Sequence, residues 1–212
     1  KAGQKMQVTP INNHNAYDDV RLHTSSMLYP GLYFIELSYI GEVSPQMNGI
    51  YLSTYEHDGV TKSIVATQFE SHYARQAIPC VDEPEAKATF DLTLITDKHE
   101  TVIANTPIVG EDERKGKLIT TFDTTPRMST YLLAFIHGEL GYTQGQTNEG
   151  TLVRVYATPE HVKHTKFALE CAINTLEFYN EYFDIPYPLD KCDFIALPDF
   201  ASGAMENWGC IT

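Results

Sequence analysis

The chain has 212 residues, 42% hydrophobic and 20% charged, a balance that excludes a disordered polymer and allows a substantial core, whether in one large domain or two small ones. Its 28 acidic against 15 basic residues give a net charge of -13, which disfavours nucleic acid and anionic membranes as partners and suits cationic ligands such as peptide amino termini, although most of the surplus serves solubility. No apolar run is long enough to span a bilayer, so no membrane segment is expected.

Residues 1–30 are polar and poorly periodic, with Asn12-Asn13-His14-Asn15 reading as a loop. From Gly31 the pattern turns to β, because Tyr33, Ile35, Leu37 and Tyr39 alternate with Glu36 and Ser38 as a half-buried strand requires. Ile50–Tyr55 and Thr61–Ala66 flank His57-Asp58-Gly59, where Asp-Gly supplies the positive φ angles of a tight hairpin turn. After the proline-rich segment Pro79–Pro84, further strands are predicted at Thr89–Thr96 (Phe90, Leu92 and Leu94 on one face), Thr101–Ala104, Lys117–Phe122, Thr130–His137 and Leu152–Tyr156. Gly110–Gly116 reads as a turn cluster between them. Evenly spaced strands with short connections predict an antiparallel β domain.

The pattern changes at Thr158-Pro159-Glu160, a cap residue, a proline fit for the first helical position and an acid fit for the helix N-terminus. Leu169, Ala172, Ile173, Leu176, Tyr179 and Phe183 then recur at helical spacing until Ile185-Pro186-Tyr187-Pro188 ends the helix. Asp193–Leu197 and Asn207–Thr212 read as short strands. The expected division is therefore 1–157, an antiparallel β domain, and 158–212, an α+β unit of marginal size for independent folding. The start at Lys1-Ala2-Gly3-Gln4-Lys5 and the stop just after a motif read as a fragment.

Cys80, Cys171, Cys192 and Cys210 form no C-x-x-C pair and read as buried thiols in a reducing compartment, though sequence alone leaves room for a disulfide between two of them. None of the eight histidines falls in H-E-x-x-H. His99-Glu100 lacks the second histidine, His161-Val162-Lys163-His164 has the wrong spacing and no acid, and His137-Gly138-Glu139 also fails, so no metal ligand is assigned.

The most informative stretch is Gly203-Ala204-Met205-Glu206-Asn207-Trp208-Gly209, approached through Leu197–Ser202. Small residues at Gly203 and Ala204 let main-chain groups face a bound peptide backbone, and Glu206 supplies one negative charge beside that track. Gly203–Asn207 reproduces the exopeptidase motif of the zinc aminopeptidases related to aminopeptidase N. Thr67-Gln68-Phe69-Glu70 and Ala74–Phe90 resemble that family's second signature, with Ile78 standing where many members carry Phe. The resemblance runs from about Gly49 to Thr212, and the first forty residues share only general strand character.

The resemblance implies an N-terminal β-saddle followed by the opening of a thermolysin-like catalytic domain. It implies that Glu206 and Glu70 anchor the substrate's α-amino group, with Gln68 near the pocket for the first side chain and Gly203, Ala204, Met205 and Asn207 along the peptide. The chemistry is apt, since an α-amino group with a reference pKa of about 7.7–8.0 is largely protonated at neutral pH. Two uncompensated carboxylates are unfavourable neighbours until a cation arrives. Arg75, Asp82, Glu83 and Lys87 are expected to fix the loop after Glu70 by ion pairs and turn hydrogen bonds, and Tyr73 and Trp208 to pack. In the family, zinc is held by H-E-x-x-H and its Glu polarises a zinc-bound water; the resemblance places those ligands beyond Thr212.

The expected function is the N-terminal part of a zinc metallo-aminopeptidase, cytoplasmic by its unpaired cysteines and few glycosylation signals. Its expected partners are peptides with a free N-terminus and the remainder of the catalytic domain, and these residues alone are expected to be inactive. The alternatives are a non-catalytic binding relative and a bifunctional epoxide hydrolase/aminopeptidase; Ala204 in place of Gly speaks against the latter.

Overall fold

The polar N-terminal stretch that carried no readable period is a hairpin in the computed structural model, which describes residues 5–6, 8–14, 16 and 19–212. Strand β1 (Val8–His14) pairs antiparallel with β2 (Asp19–Thr24). Asn12, Asn13 and His14 therefore belong to a strand and not to a loop, while Asn15 lies outside the described residues. The chain divides into two units, residues 1–39 and 40–212, and the remaining sheets lie in the second.

The alternating segment around Tyr33–Tyr39 is not a strand. Tyr33, Ile35, Leu37 and Tyr39 are all exposed. Alternation creates an apolar face, but a strand also needs a neighbour's backbone, and the first pairing after β2 is the isolated bridge between Ser44 and Tyr51.

The Asp-Gly hairpin forms as expected, with β3 (Gly49–His57) against β4 (Val60–Gln68), register His57 opposite Val60, and positive φ at Asp58 (50°) and Gly59 (73°). A single helical turn, α1 (Ala74–Ala77), follows. Next come β5 (Thr93–Asp97), β6 (Thr101–Ala104), β7 (Ile108–Arg114) and β8 (Lys117–Phe122). The strand expected from Thr89 begins only at Thr93, because the residues before it are tied by separate bonds, Ala88 with Met128 and Phe90 with Thr125, without a continuous ladder. Most of the expected turn Gly110–Gly116 is strand β7; the turn is confined to Lys115 (φ 53°) and Gly116 (φ 78°).

Thr130–Leu132 is a 3-10 turn, so the strand expected from Thr130 shrinks to β9 (Phe135–Gly138). The Thr130 hydroxyl donates to Asp82 there, which draws that stretch off the sheet. Then follow β10 (Gly141–Gln146), which no alternation in the sequence marks, and β11 (Leu152–Ala157).

Helix α2 spans Lys166–Phe183 and not from Thr158. The Thr158 carbonyl accepts from both His161 and Val162, a 3-10 turn covers Val162–His164, and Thr165 bonds back to Val162, so the chain tightens before it becomes α-helical. The helix buries Leu169 and Ala172 against Val153 and Val155 of β11, while Tyr179 and Phe183 of the expected stripe remain exposed. The last strands are β12 (Lys191–Ile195) and β13 (Cys210–Ile211).

The fold is mostly β. The sheets of the second unit run β3-β4-β9-β6, β5-β8-β7 and β10-β11-β12-β13. The first two are antiparallel, whereas β11, β12 and β13 run parallel to one another. Tyr51, Ile64, Ile103 and Ile136 from the first sheet meet Tyr156, Ile195 and Cys210 from the mixed sheet in one apolar core.

Candidate functional site

The signature segments converge on a second apolar cluster. Phe69, at the end of β4, and Met205, within the Gly203–Asn207 motif, are both 0% exposed and share this cluster with Met128, Leu132 and Leu133. Burying a Phe or Met side chain fully contributes about 1.5–3 kcal/mol, so these two residues fix their segments firmly. In each segment the next residue is a glutamate that faces solvent, Glu70 after Phe69 and Glu206 after Met205. Among the described residues neither glutamate has an ion-pair partner.

Exposure alternates along the motif from Ala204 to Trp208. Ala204, Glu206 and Trp208 are exposed, while Met205 and Asn207 are buried. Asn207 is 1% exposed, its amide lies 3.5 Å from the Thr212 hydroxyl, and its carbonyl accepts from Cys210. That turn at Asn207–Cys210 shortens the strand expected over 207–212. Met205 exchanges backbone hydrogen bonds with Thr212. Gly203 and Ala204 take none among the described residues, and nothing within 4 Å would meet a side chain built at Gly203. Trp208 is 40% exposed and thus less packed than expected.

Gln68, the last residue of β4, is 7% exposed, and its Oε1 has no hydrogen-bond partner among the described residues. A buried acceptor left unpaired is costly, so it calls for a partner such as water or a ligand. The loop after Glu70 is braced by Arg75 and Asp82 as expected, whereas Glu83 and Lys87 make no ion pair among the described residues and hydrogen-bond only through their backbones. Asp82 accepts from the Arg75 backbone N–H (3.0 Å), from Arg75 Nε (3.3 Å) and from the Thr130 hydroxyl (2.7 Å).

Five further residues, Asp199, Asn105, Lys191, Asp193 and Arg154, hold the motif without any role assigned from the sequence. Asp199 ties the approach to β3, accepting from Thr54 at its carboxylate and from Tyr51 at its carbonyl, and donating its backbone N–H to Ser53. Burial and then the Asp199 charge push the Tyr51 hydroxyl up to about 12. Asn105, after β6, donates to the Trp208 and Leu132 carbonyls and accepts from Ala134. Lys191 donates to the Ala104 and Gly209 carbonyls and pairs with Asp193, which is also held by Arg154 through two hydrogen bonds. Lysine and aspartate two apart in an otherwise apolar strand would have signalled a buried pair; nothing in the sequence marks Asn105.

All four cysteines are free. Cys192 and Cys210 are buried, Cys80 is intermediate, and Cys171 is exposed, contrary to the expectation of four buried thiols. Burial raises the Cys210 thiol to about 12 and the Cys80 thiol, with a contribution from Asp82, to about 11. Among the described residues one group brings three possible metal-ligand atoms within 4.8 Å, namely His57, Asp58 and Glu160. The Asp58 side chain is 90% exposed and the two acids contact different imidazole nitrogens, a poor enclosure for an ion.

A family model described as Peptidase M1 N-terminal domain matches residues 1–132, and one described as Peptidase family M1 domain matches residues 167–212. The chain is 42% identical over 205 residues to puromycin-sensitive aminopeptidase of Caenorhabditis elegans, covering 93% of this chain and 22% of that protein. It is 50% identical over 183 residues to aminopeptidase N of Lactococcus lactis subsp. lactis, covering 84% of this chain and 21% of that protein. It is 40% identical over 216 residues to endoplasmic reticulum aminopeptidase 1 of Mus musculus, covering 100% and 23%. The chain thus spans about a fifth of the length of these relatives.

Proposed function

Because the chain belongs to peptidase family M1, we propose that it is the N-terminal part of a zinc metallo-aminopeptidase that removes residues one at a time from peptides with a free N-terminus. The observation that carries this reading is the pairing of two segments through one core. Phe69 and Met205 pack in the same cluster, and each hands its chain on to a solvent-facing glutamate.

The roles of the chain's own residues follow from that pairing. Glu206 and Glu70 hold the substrate ammonium; a close charge pair is worth up to about 4 kcal/mol before desolvation at an effective dielectric of 20. Gln68 Oε1, buried and unpaired, accepts a further hydrogen bond beside the first residue's pocket. Gly203 and Ala204 offer unused backbone groups to the peptide as an added strand. Met205 and Asn207 act from beneath, as buried supports that hold this track.

Zinc is proposed for the whole enzyme, where it supplies Lewis-acid activation of the scissile carbonyl. The residues of this chain do not fit it, since H-E-x-x-H is missing from the sequence, and these residues alone are proposed to be inactive. The proposed division at residue 157 is supported by family matches on either side, 1–132 and 167–212, with the mixed sheet shared between the two parts. The remainder of the catalytic domain is the chain's proposed structural partner, and the free state of all four cysteines supports a cytoplasmic location.

The test is Glu206→Ala in the intact enzyme. Turnover of an aminoacyl-anilide is expected to fall about 100-fold or more in kcat/KM, with zinc content unchanged. Undiminished activity in that variant would end the assignment.

A further inference from the structure

The motif is gripped at its far end by two polar side chains that lie off the proposed peptide track, Asn105 and Lys191. Asn105 donates through Nδ2 to the Trp208 carbonyl (2.8 Å) and to the Leu132 carbonyl (2.8 Å), while its Oδ1 accepts from the Ala134 N–H (2.8 Å). Lys191 donates through Nζ to the Gly209 carbonyl (2.7 Å) and to the Ala104 carbonyl (2.5 Å). Both are 2% exposed. The chain after β6 at Ala104-Asn105 and the chain after the motif at Trp208-Gly209 are therefore joined at consecutive carbonyls. The fit is close: a methyl group at Gly209 would lie 2.3 Å from the Asn105 carbonyl oxygen.

Burying an ammonium is expensive, and this chain keeps one where a neutral donor could have bridged two carbonyls. The charge is balanced by Asp193 (2.7 Å from Lys191 Nζ), and Asp193 is oriented in turn by the Arg154 guanidinium at 2.7 and 2.8 Å. Asp193 is also a strand partner of Cys210 in β12–β13. Side chain and backbone thus locate the same three residues, Trp208, Gly209 and Cys210. Glu206 lies two positions upstream of Trp208, where the chain enters the Asn207–Cys210 turn, and both residues are exposed, so a shift of this anchor is passed to its carboxylate through two residues.

We propose that Asn105 and Lys191 are positioning residues of the amine site: through the Trp208 and Gly209 carbonyls they set where the Glu206 carboxylate meets the substrate ammonium. This rests on the reading of Glu206 as an amine anchor. Misplacement of a binding group by about 1 Å costs on the order of 100-fold in rate, whereas general loosening of the fold would weaken all ligands alike.

The experiment measures amine selectivity in the intact enzyme. A short peptide and its des-amino analogue, which lacks only the α-amino group, are compared as competitive inhibitors in wild type, Lys191→Met, Asn105→Ser and Glu206→Gln. Lys191→Met leaves Asp193 paired with Arg154, so it removes the side-chain bond to Gly209, whose carbonyl keeps only the Asp193 N–H (3.0 Å), without stranding the carboxylate. Each of Lys191→Met and Asn105→Ser is expected to lower the ratio of the two inhibition constants by about tenfold, with the des-amino constant and zinc content unchanged. Either folded variant decides. A ratio equal to wild type in the folded variants, while Glu206→Gln abolishes it, overturns the positioning role and leaves the amine anchor standing. Loss of binding for both ligands in parallel also overturns it, as a purely structural effect. If Glu206→Gln itself leaves the ratio intact, the underlying reading of the site fails.

Discussion

Gly203 and Gly209 bracket the motif and answer to different demands. Gly209 has φ +68° and a backbone oxygen 2.3 Å from where a Cβ would sit, so the fold itself requires glycine there. Gly203 has open space around it and takes no positive φ, so its smallness serves whatever lies over the track. Gly209→Ala is therefore expected to destabilise the protein by about 2 kcal/mol or more in urea unfolding. Gly203→Val should stay within about 0.5 kcal/mol of wild type yet raise KM for peptides. Equal stability losses at the two positions would contradict this division.

Cys210 carries a pH prediction. Its thiol stays protonated in the folded state up to about 12, against an ordinary value of 9.0, because it is buried. Above about pH 9 the unfolded chain loses that proton first, so the folded state holds more protons and stability falls as pH rises, with the full contribution present below pH 9. Between about pH 8 and 10.5 this thiol should account for ~2 kcal/mol of lost stability. Cys210→Val should show a correspondingly shallower alkaline decline in urea unfolding. At this scale the motif glutamates were legible in the sequence by resemblance. Asn105 was not, because its work is defined by carbonyls distant in the chain, and Lys191 was marked only as half of a Lys–Asp pair, its carbonyl partners being equally distant.

Elements were legible where local chemistry suffices. Asp58-Gly59 predicted its hairpin because the turn's angles are a property of two residues. Thr101–Ala104 and Lys117–Phe122 fall on their expected strands. Tyr33–Tyr39 shows the limit: alternation states which face is apolar but not whether a neighbouring backbone is present to pair. Helix α2 was found by its period, but its start was misplaced by about two turns, the cap at Thr158 instead of Thr165, because the Thr158 carbonyl closes a turn of its own. Its C-terminus was stopped correctly by the Ile185-Pro186 region, but the stop is made by Asp184 in the left-handed conformation at φ 53°. Asp184→Gly should relieve that strain and raise stability by about 0.5–1 kcal/mol, read as a higher urea midpoint. An unchanged or lower midpoint would show that the aspartate side chain contributes more than its backbone costs.

At the scale of the whole molecule, two segments far apart in sequence are brought to one apolar cluster, with Phe69 from the antiparallel sheet and Met205 from the stretch between β12 and β13. Asp199 fixes the approach to the motif on β3, and Lys191 with Asn105 fixes its exit beside β6. The acidic surplus of the chain, a net charge of -13, adds a weaker long-range attraction for cationic peptide ends. Glu70 and Glu206 are proposed to act together on a free amine. The most direct test is kcat/KM of the intact enzyme for an aminoacyl-anilide and its N-acetylated counterpart, in wild type, Glu70→Ala, Glu206→Ala and the double variant. Joint action requires strong wild-type preference for the free amine, a loss of about 100-fold or more in each single variant, and a double variant less impaired than the product of the two. Equal cleavage of both substrates by wild type, or single variants as selective as wild type, would contradict it.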